Sequence, residues 1–302
     1  MNGQSGRKQI GSAAARHRAR LAVVLGITLT IVSVEIIGGV ISGSLALLAD
    51  AGHMFADAAG IGLALLAIHF AGRPATSKRT FGFYRLEILT AAVNAVLLFG
   101  VGALVLYEGI RRLVTPPRVG SGVMLVFGVV ALFGNACSAW LLRRGQRESL
   151  NVRGAFLEVL SDLLGAVAVV ASAAVIAATG FRRADPIASI LIALLILPRT
   201  WKLLRDAVDV LLEATPEGVD MAEVRRHILE TPGVADAHDL HVWCLTSGMN
   251  VVSAHVVLQE GAGPSSVLES LATCLSGDFD IEHSTFQLEQ QDRRATEDQL
   301  HP

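Results

Sequence analysis

Residues 88–107, ILTAAVNAVLLFGVGALVLY, and residues 119–142, VGSGVMLVFGVVALFGNACSAWLL, contain no charged side chain. A helix needs about 20 apolar residues to cross the ~30 Å hydrocarbon core of a bilayer. Each stretch is long enough on its own, so each predicts a transmembrane helix. The chain is therefore expected to be an all-α membrane protein over at least part of its length.

Further apolar runs flank these two stretches. Residues 21–72 are long enough for two spans, separated by a tight turn at 42–44 (Ser-Gly-Ser). Residues 163–181 predict another span, whose helix begins earlier, near Arg153. Residues 186–198 give only 13 uncharged positions, and runs of that length are ambiguous when taken alone. The pattern predicts six transmembrane helices if this last run is counted.

The distribution of basic residues supports six spans. With six, one side of the membrane collects 16 Arg and Lys residues and the other collects five. Cytoplasmic loops carry the excess of basic residues, so both termini are expected in the cytoplasm. With five spans, this unequal distribution of basic residues between the two sides would be lost. A signal peptide at 21–41 is disfavoured because the apolar run is long and lacks a clear cleavage site.

Composition excludes several classes of protein. Hydrophobic residues make up 52% of the 302 residues, charged residues 17%, and the mean hydropathy is +0.52, whereas soluble domains carry about 25% charged residues. A net charge of −2 argues against nucleic acid as a partner. The lipid bilayer is the partner that this composition predicts. The three cysteines form no C-x-x-C pair, so neither a disulfide framework nor a thiolate zinc ribbon is supported.

A second domain is expected after residue 212. Amphipathic helices, period-2 strands and a Ser247-Gly248 hairpin turn predict the order α-β-β-α-β, a small α+β fold. We therefore divide the chain into a basic cytosolic tail, a six-helix transmembrane domain, an α+β domain and a disordered tail, with predicted bounds 1–20, 21–212, 213–290 and 291–302. Within the α+β domain, helices are predicted at 217–231 and 264–276, and strands at 236–245, 250–258 and 282–289.

Charged side chains lie inside two of the predicted spans. His53 and Asp57 are four residues apart, as are Glu158 and Asp162, and this spacing puts each pair on one helix face. At 1.5 Å per residue, Asp57 lies about 18 Å from the outer end of its span, and the other pair about 8–14 Å from the inner end. Measured from the same side of a ~30 Å hydrocarbon core, the two pairs therefore lie at a similar depth. One imidazole and three carboxylates are predicted to surround a divalent ion there.

Other interpretations of these residues stay open. A lone histidine in a membrane helix commonly hydrogen-bonds between helices, and Glu158 is close enough to the span's end to pair with Arg153. Asp50 shares the face of His53 and fits a helix cap or an outer gate as well as a ligand. Three more polar residues predict hydrogen bonds between helices: Glu35, Asn94 and Asn135.

Four segments resemble one known family in order and spacing. They are SGSLALLADAGHMFADAAG (42–60), FGFYRLEIL (81–89), ADPIASILIALLIL (184–197) and HDLHVW (238–243). Together they resemble the cation diffusion facilitator family, especially its zinc-type members, over residues 20 to 290.

The resemblance implies both fold and function. Members have six spans and a cytosolic ferredoxin-like domain, form homodimers, and export divalent metal in exchange for protons. By position, the transport site is His53, Asp57, Glu158 and Asp162. We expect a multi-pass protein of the cell membrane that is not an enzyme and has no catalytic cofactor. Its substrate is expected to be zinc, or else cadmium, cobalt, iron or manganese, and the metal can also serve as a structural or regulatory ligand.

The chain departs from the family at Glu158, where zinc-type members commonly have histidine. Glutamate keeps a ligand at this position but makes the site harder, and oxygen ligands suit manganese and iron relatively better. Zinc remains the first expectation.

The small domain concentrates histidines on its predicted strands. The resemblance implies a cytosolic metal site at His238, His255 and Glu289, with His283 as a tentative addition. Strand side chains alternate in direction, but the hairpin register is open: Leu240 faces either Ala254 or His255. Ordinary surface or hydrogen-bonded histidines are the alternative. Two cysteines are expected to be small core residues rather than ligands: Cys244 and Cys274.

Two rival functions lack support in the sequence. An intramembrane metalloenzyme would need a motif such as H-E-x-x-H with a free general base, and the sequence has none. A membrane metal sensor would need a signalling domain, and no kinase, cyclase or DNA-binding pattern is present. Divalent-metal export by proton antiport is therefore the favoured prediction.

Overall fold

A computed structural model describes residues 5–143, 150–281 and 283–290 of the chain. Side chains are described from Leu21 onward within these ranges, apart from residues 68, 150 and 151. The predicted disordered tail, 291–302, lies outside the described residues.

Within the described part of the chain, six helices are long and apolar enough to cross a membrane. The prediction of six transmembrane helices is therefore confirmed. They are α1 (Ser5–Ser42), α2 (Leu45–Ala71), α3 (Leu86–Val114), α4 (Ser121–Leu142), α5 (Leu150–Thr179) and α6 (Ala184–Leu211).

Helices α1 and α6 extend well beyond their apolar runs. Helix α1 begins at Ser5, so the basic segment before residue 21 continues the first span as helix. Helix α6 contains Pro198 and runs on to Leu211, well past the predicted end at residue 198. Proline removes one backbone hydrogen bond without having to end a helix. The basic residues that follow it therefore lie on the helix rather than in a loop.

The structure divides into two compact units. The first comprises the chain up to Leu63 together with Val93–Leu203. Its main core joins apolar residues of five helices; α2 contributes Leu47, α3 Leu98, α4 Met124, α5 Val169 and α6 Ile192, all buried. Glycines allow close helix packing, as small residues do in membranes generally. A Cβ added to Gly128 of α4 would lie 3.0 Å from the Val169 side chain.

The amino terminus of α2 is held by a carboxylate from α6. Asp185 is fully buried and accepts hydrogen bonds from the Ser44 hydroxyl (2.5 Å), the Leu45 amide (2.9 Å) and the Ala46 amide (3.2 Å). The first amides of a helix have no partner within the helix, and a capping acceptor satisfies them. Asp185 therefore fixes where the helix that carries His53 begins.

The second unit comprises Ala64–Ala92 and the chain from Leu204 onward. Its described elements follow the predicted order α-β-β-α-β, and the predicted small α+β fold is confirmed. They are α7 (Met221–Glu230), β1 (Val234–Thr246), β2 (Met249–Leu258), α8 (Pro264–Phe279) and β3 (His283–Glu289).

The strands form one sheet in the order β1-β2-β3. Strands β1 and β2 are antiparallel and are joined by a turn at Gly248, whose φ of 75° suits glycine. Strand β3 runs parallel to β2, which requires the crossover that α8 provides. Helices α7 and α8 pack against the sheet through a shared core that includes Ile228, Val252 and Leu271.

A β-bulge sets the register of the hairpin. His238 pairs with His255, whereas the next paired residues are His241 and Ser253. Two residues of β1, Asp239 and Leu240, therefore oppose a single residue of β2, which is the arrangement of a bulge. Asp239 has a φ of 49°. The bulge places the His238 and His255 side chains directly across from each other.

Candidate metal sites

The four predicted transport ligands meet between α2 and α5. The His53 imidazole lies between two carboxylates, with Nδ1 at 3.3 Å from Asp57 Oδ2 and Nε2 at 3.8 Å from Asp162 Oδ1. His53 and Asp162 are buried. The i, i+4 spacing on each helix thus produces a group of side chains from two helices inside the first unit.

Three of the four ligands are within mutual reach of one ion. His53, Glu158 and Asp162 each offer a ligand atom, and these atoms lie within 4.8 Å of one another. Asp57 lies on the other side of the imidazole, where its carboxyl is within hydrogen-bonding reach of Glu158. Asp57 is therefore outside the set of three that lies within mutual reach of one ion.

Glu158 has a counter-ion that the sequence did not reveal. Arg199 of α6 donates from Nη1 to Glu158 Oε1 at 3.2 Å and from Nη2 to Oε2. The sequence suggested Arg153 as the partner. Arg199 reaches Glu158 because α6 continues as helix beyond Pro198. Bidentate arginine–carboxylate pairs are strong and directional, so the pair fixes the Glu158 carboxylate beside the site.

Several side-chain atoms of this group make no well-aligned hydrogen bond among the described residues, although His53 Nδ1 and Asp57 Oδ2 lie 3.3 Å apart. They include His53 Nδ1, Asp57 Oδ2 and Asp162 Oδ1, all buried. Burying polar atoms without partners is costly, and in a membrane helix such groups usually mark an ion pathway. A shared proton or a bound cation would remove this cost.

A second pair of carboxyls lies next to the first group. Asp50 and Glu35 are fully buried and in contact, which fits the predicted role of Glu35 between helices. Asp50 does not cap α2, because Asp185 does so. Instead it packs against Gly165 of α5, where an added Cβ would lie 2.4 Å from Asp50 Oδ1. Gly165, the point of this close approach, is three residues after Asp162 on α5.

The strands of the second unit bring the three predicted cytosolic ligands together. Glu289 Oε1 lies 3.0 Å from His255 Nδ1, and Glu289 Oε2 lies 3.5 Å from His238 Nε2. The two imidazole rings meet edge to face, with centroids 5.2 Å apart. The Glu289 side chain is fully buried. Each of the three offers a ligand atom within 4.8 Å of the others.

The bulge adds a fourth side chain to this group, an acidic one that sequence analysis missed. Asp239 Oδ2 lies 3.7 Å from His255 Nε2, and its Oδ1 lies 2.9 Å from His241 Nε2. Nothing in the sequence marks the bulge beforehand, since positive φ is uncommon even for Asp, although Asp adopts it more readily than most residues. His283, at the start of β3, lies outside this group and packs edge-on against Phe81.

Together these features define a class of protein. Six membrane-length helices bury paired metal-competent side chains, and a small sheet domain carries a second group of metal-competent residues. This is the architecture of a membrane transporter for cations. Comparison with known proteins makes the class specific. Residues 21–212 match the family described as the cation efflux transmembrane domain, and residues 216–291 match the cytoplasmic domain of cation efflux proteins.

The chain therefore belongs to the cation diffusion facilitator family, a family of multi-pass metal transporters and not of enzymes. It is 49% identical to the metal cation efflux system protein CzcD of Cupriavidus metallidurans, covering 89% of this chain and 85% of that one. It is 43% identical to the zinc transporter ZitB of Escherichia coli, covering 90% and 87%.

Two more similarities were found. The cadmium, cobalt and zinc/H(+)-K(+) antiporter of Bacillus velezensis is 39% identical, covering 85% of this chain and 83% of that one. A solved structure of the metal-bound C-terminal domain of the CzcD transporter is 49% identical, with a TM-score of 0.23, and covers 24% of this chain and 99% of that one.

Proposed function

We propose that this chain exports zinc, and with lower preference other divalent metals, through the site formed by His53, Asp57, Glu158 and Asp162. The observation that carries the proposal is the mutual reach of His53, Glu158 and Asp162, from two different membrane helices, within 4.8 Å. An imidazole with carboxylates is a suitable set for a tetrahedral divalent ion. Relatives named for zinc, cadmium and cobalt support this range of substrates.

Arg199 suggests how the empty site stays stable. The side chains can carry up to three negative charges, and unpaired charges in a membrane domain are costly. The guanidinium of Arg199 neutralises Glu158 through two hydrogen bonds. An arriving metal ion competes with Arg199 for the same carboxylate oxygens. Arg199 therefore acts as an internal counter-ion that an incoming ion displaces from Glu158.

Protons are the proposed driving ion. Metal and proton compete for the lone pairs of His53 and the carboxylates, so release of the metal on one side favours protonation there. The protonated site then returns to the other side, in a cycle of alternating access. A relative named as an H(+)-coupled antiporter supports this coupling. The buried carboxyls of Asp50 and Glu35, next to the site, are further places for a proton.

Orientation and assembly complete the proposal. The excess of basic residues on one side supports an orientation with both termini in the cytoplasm, and the proposed location is the cell membrane. Resemblance to the family supports a homodimer. The group of His238, His255 and Glu289 is proposed to bind a metal ion with a structural or regulatory role.

Zinc flux in proteoliposomes under an imposed pH gradient tests the proposal. The purified wild-type chain should accumulate zinc, and Asp162→Asn should abolish accumulation because it removes a charged ligand with little change of shape. Asp209→Asn serves as the control, since Asp209 is exposed and only pairs with Arg205 on the same helix. Equal zinc flux in Asp162→Asn and wild type, at equal protein incorporation, would refute the transport site. Absence of flux in the wild type would favour a sensor.

A further inference from the structure

Helices α7 and α8 carry a third group of metal-competent side chains, apart from both sites described above. His227 lies on α7, and Cys274 and Asp278 lie one turn apart on α8. The residues that follow His227 and Cys274 in the chain, Ile228 and Leu275, are buried in the core of the second unit. The core thus fixes the backbone from which the three side chains project.

The three ligand atoms form a compact triangle. His227 Nδ1 lies 3.2 Å from Asp278 Oδ2 and 3.6 Å from Cys274 Sγ, and the Cys274 Sγ to Asp278 Oδ2 distance is 3.7 Å. Tetrahedral zinc has bonds of about 2.1 Å to nitrogen and oxygen and about 2.3 Å to sulfur, which separates its ligands by about 3.4 Å (N to O) and about 3.6 Å (N or O to S). The observed edges match these separations closely.

From this geometry we propose that His227, Cys274 and Asp278 form a binding site for a zinc-class divalent ion, independent of the transport site. The ion would be held by three protein ligands from two helices, with the fourth position open to water. Sulfur and imidazole ligands select zinc-class ions over magnesium or calcium. Such an ion would cross-link α7 to α8.

The His227 ring contacts an aromatic side chain and an arginine. Phe279 packs edge-on against the imidazole, with centroids 5.0 Å apart and an interplanar angle of 81°. Arg226 Nη2 lies 3.3 Å from the other ring nitrogen, Nε2. Metal at Nδ1 requires a proton on Nε2, so Arg226 must turn away. Arg226 is half exposed and also bonds to Glu230, so this movement is inexpensive.

The site is open to solvent, and its thiol has a raised pKa. Asp278 is exposed, and His227 and Cys274 are half-buried, so an ion can enter from solvent. Burial raises the pKa of the Cys274 thiol, and the neighbouring Asp278 carboxylate raises it further. The thiol therefore keeps its proton at neutral pH until a metal displaces it. A hydrogen-bonded cluster without metal is the competing interpretation.

Cobalt spectroscopy on the full-length protein in detergent distinguishes a metal site from a hydrogen-bonded cluster without metal. Only sulfur ligation gives an intense thiolate-to-cobalt charge-transfer band, and neither of the other two groups contains sulfur. The wild type should show this band on cobalt titration and lose it on adding zinc. Cys274→Ser should lack the band while retaining cobalt at the other sites. The matched control is Cys244→Ser, because the Cys244 thiol bonds to the backbone of the β1–β2 turn and belongs to none of the three groups.

Thiol protection gives a second measurement that does not depend on a substitution. Zinc should slow alkylation of Cys274 at least tenfold, with Cys244 and Cys137 as internal references in the same digest. His227→Gln should abolish that protection. The proposal is overturned if saturating cobalt gives no charge-transfer band in the wild type, if the band persists in Cys274→Ser, or if zinc leaves Cys274 alkylation unchanged. None of these readouts involves transport, so a failed flux assay would not bear on them.

Discussion

At the scale of the single residue, Glu158 has two possible partners. It offers an oxygen to the proposed ion beside His53 and Asp162, and it forms a bidentate pair with Arg199. If Glu158 is a ligand, its carboxylate exchanges Arg199 for the metal during transport. If Glu158 only pairs with Arg199, transport does not need its carboxylate. Selectivity separates the two roles, because a ligand sets metal preference and a distant counter-ion does not.

Substitution of Glu158 by histidine should shift selectivity toward zinc. Zinc is borderline-soft and accepts nitrogen donors well, whereas manganese and iron(II) tolerate oxygen-rich sites better. Glu158→His should raise the zinc-to-manganese flux ratio by about tenfold, about 1.4 kcal/mol of differential binding. Competition flux assays with zinc, manganese and iron measure this ratio.

Glu158→Gln is the companion variant, because it keeps the shape but removes the charge. It should lower the rate for every metal. An unchanged flux ratio in Glu158→His, together with full activity in Glu158→Gln, would assign Glu158 to the ion pair alone.

The residues of the candidate sites differ in how far sequence reasoning could reach them. His53, Asp57, Glu158 and Asp162 are predictable because charge inside an apolar run is rare and the i, i+4 spacing fixes the helix face. Arg199 is not predictable in this way. It follows a proline at the end of an apolar run, so it counts as one more basic residue at the membrane boundary. Only the continuation of α6 brings it to Glu158.

At the scale of the element, the start of α2 depends on Asp185. Asp185→Ala removes the acceptor for the Leu45 and Ala46 amides and for the Ser44 hydroxyl. Loss of a cap costs about 0.5–2 kcal/mol, and buried donors left unpaired add to it. Asp185→Ala should therefore lower the thermal unfolding midpoint in detergent. Asp209→Ala, which removes an exposed carboxylate from the same helix, should leave the midpoint nearly unchanged; equal midpoints in the two variants would contradict the capping role.

The packing of α2 on α5 is the second prediction at this scale. A methyl group at Gly165 would overlap Asp50 and push apart the helices that carry the two ligand pairs. Gly165→Ala should therefore reduce zinc flux strongly, because a displacement of about 1 Å at a site can cost about 10²-fold in rate. Flux at matched protein level measures the effect.

Gly154→Ala is the matched control on the same helix, since an added Cβ there meets nothing within 4 Å. It should transport like the wild type, with a slightly more stable helix. Full activity in Gly165→Ala would show that the close approach of Asp50 does not position the ligands.

Element boundaries show where sequence patterns stop being informative. The apolar run 119–142 located α4 well because Arg118 and Arg143 flank both the run and the helix, whereas α3 continues seven residues past the end of its run at Tyr107. The same rule ended the last span at residue 198, whereas the helix continues through Arg199 to Leu211. Backbone hydrogen bonding, not hydropathy, decides how far a helix extends. The hairpin register was open for a related reason: a bulge inserts one residue without a distinctive sequence.

At the scale of the whole molecule, metal is proposed to act at three places with different chemistry. The transport group combines one imidazole with three carboxylates, the strand group combines two imidazoles with carboxylates, and the helix group contains a thiol. Borderline-soft ions prefer the nitrogen- and sulfur-rich groups. An exporter with this arrangement would hold zinc at its cytosolic groups more tightly than at the group that must release it. Tight cytosolic binding then serves structure or regulation, and weaker binding serves transport.

The strand group should make the stability of the full-length chain depend on zinc. An ion that binds only the folded protein stabilises it by about 2.7 kcal/mol at 100 times its dissociation constant. An ion held by His238 on β1, His255 on β2 and Glu289 on β3 would join all three strands.

In an Asp162→Asn background, which disables the transport site, zinc should still raise the unfolding midpoint of the second unit. Adding His255→Ala should remove much of that gain, and His283→Ala, outside the group, should not. Hydrogen exchange along β1, β2 and β3 locates the effect, because protection should rise on these strands and not only along α7 and α8. If saturating zinc leaves strand protection unchanged in the Asp162→Asn protein, the strand histidines are structural hydrogen-bonding residues and the ion belongs elsewhere.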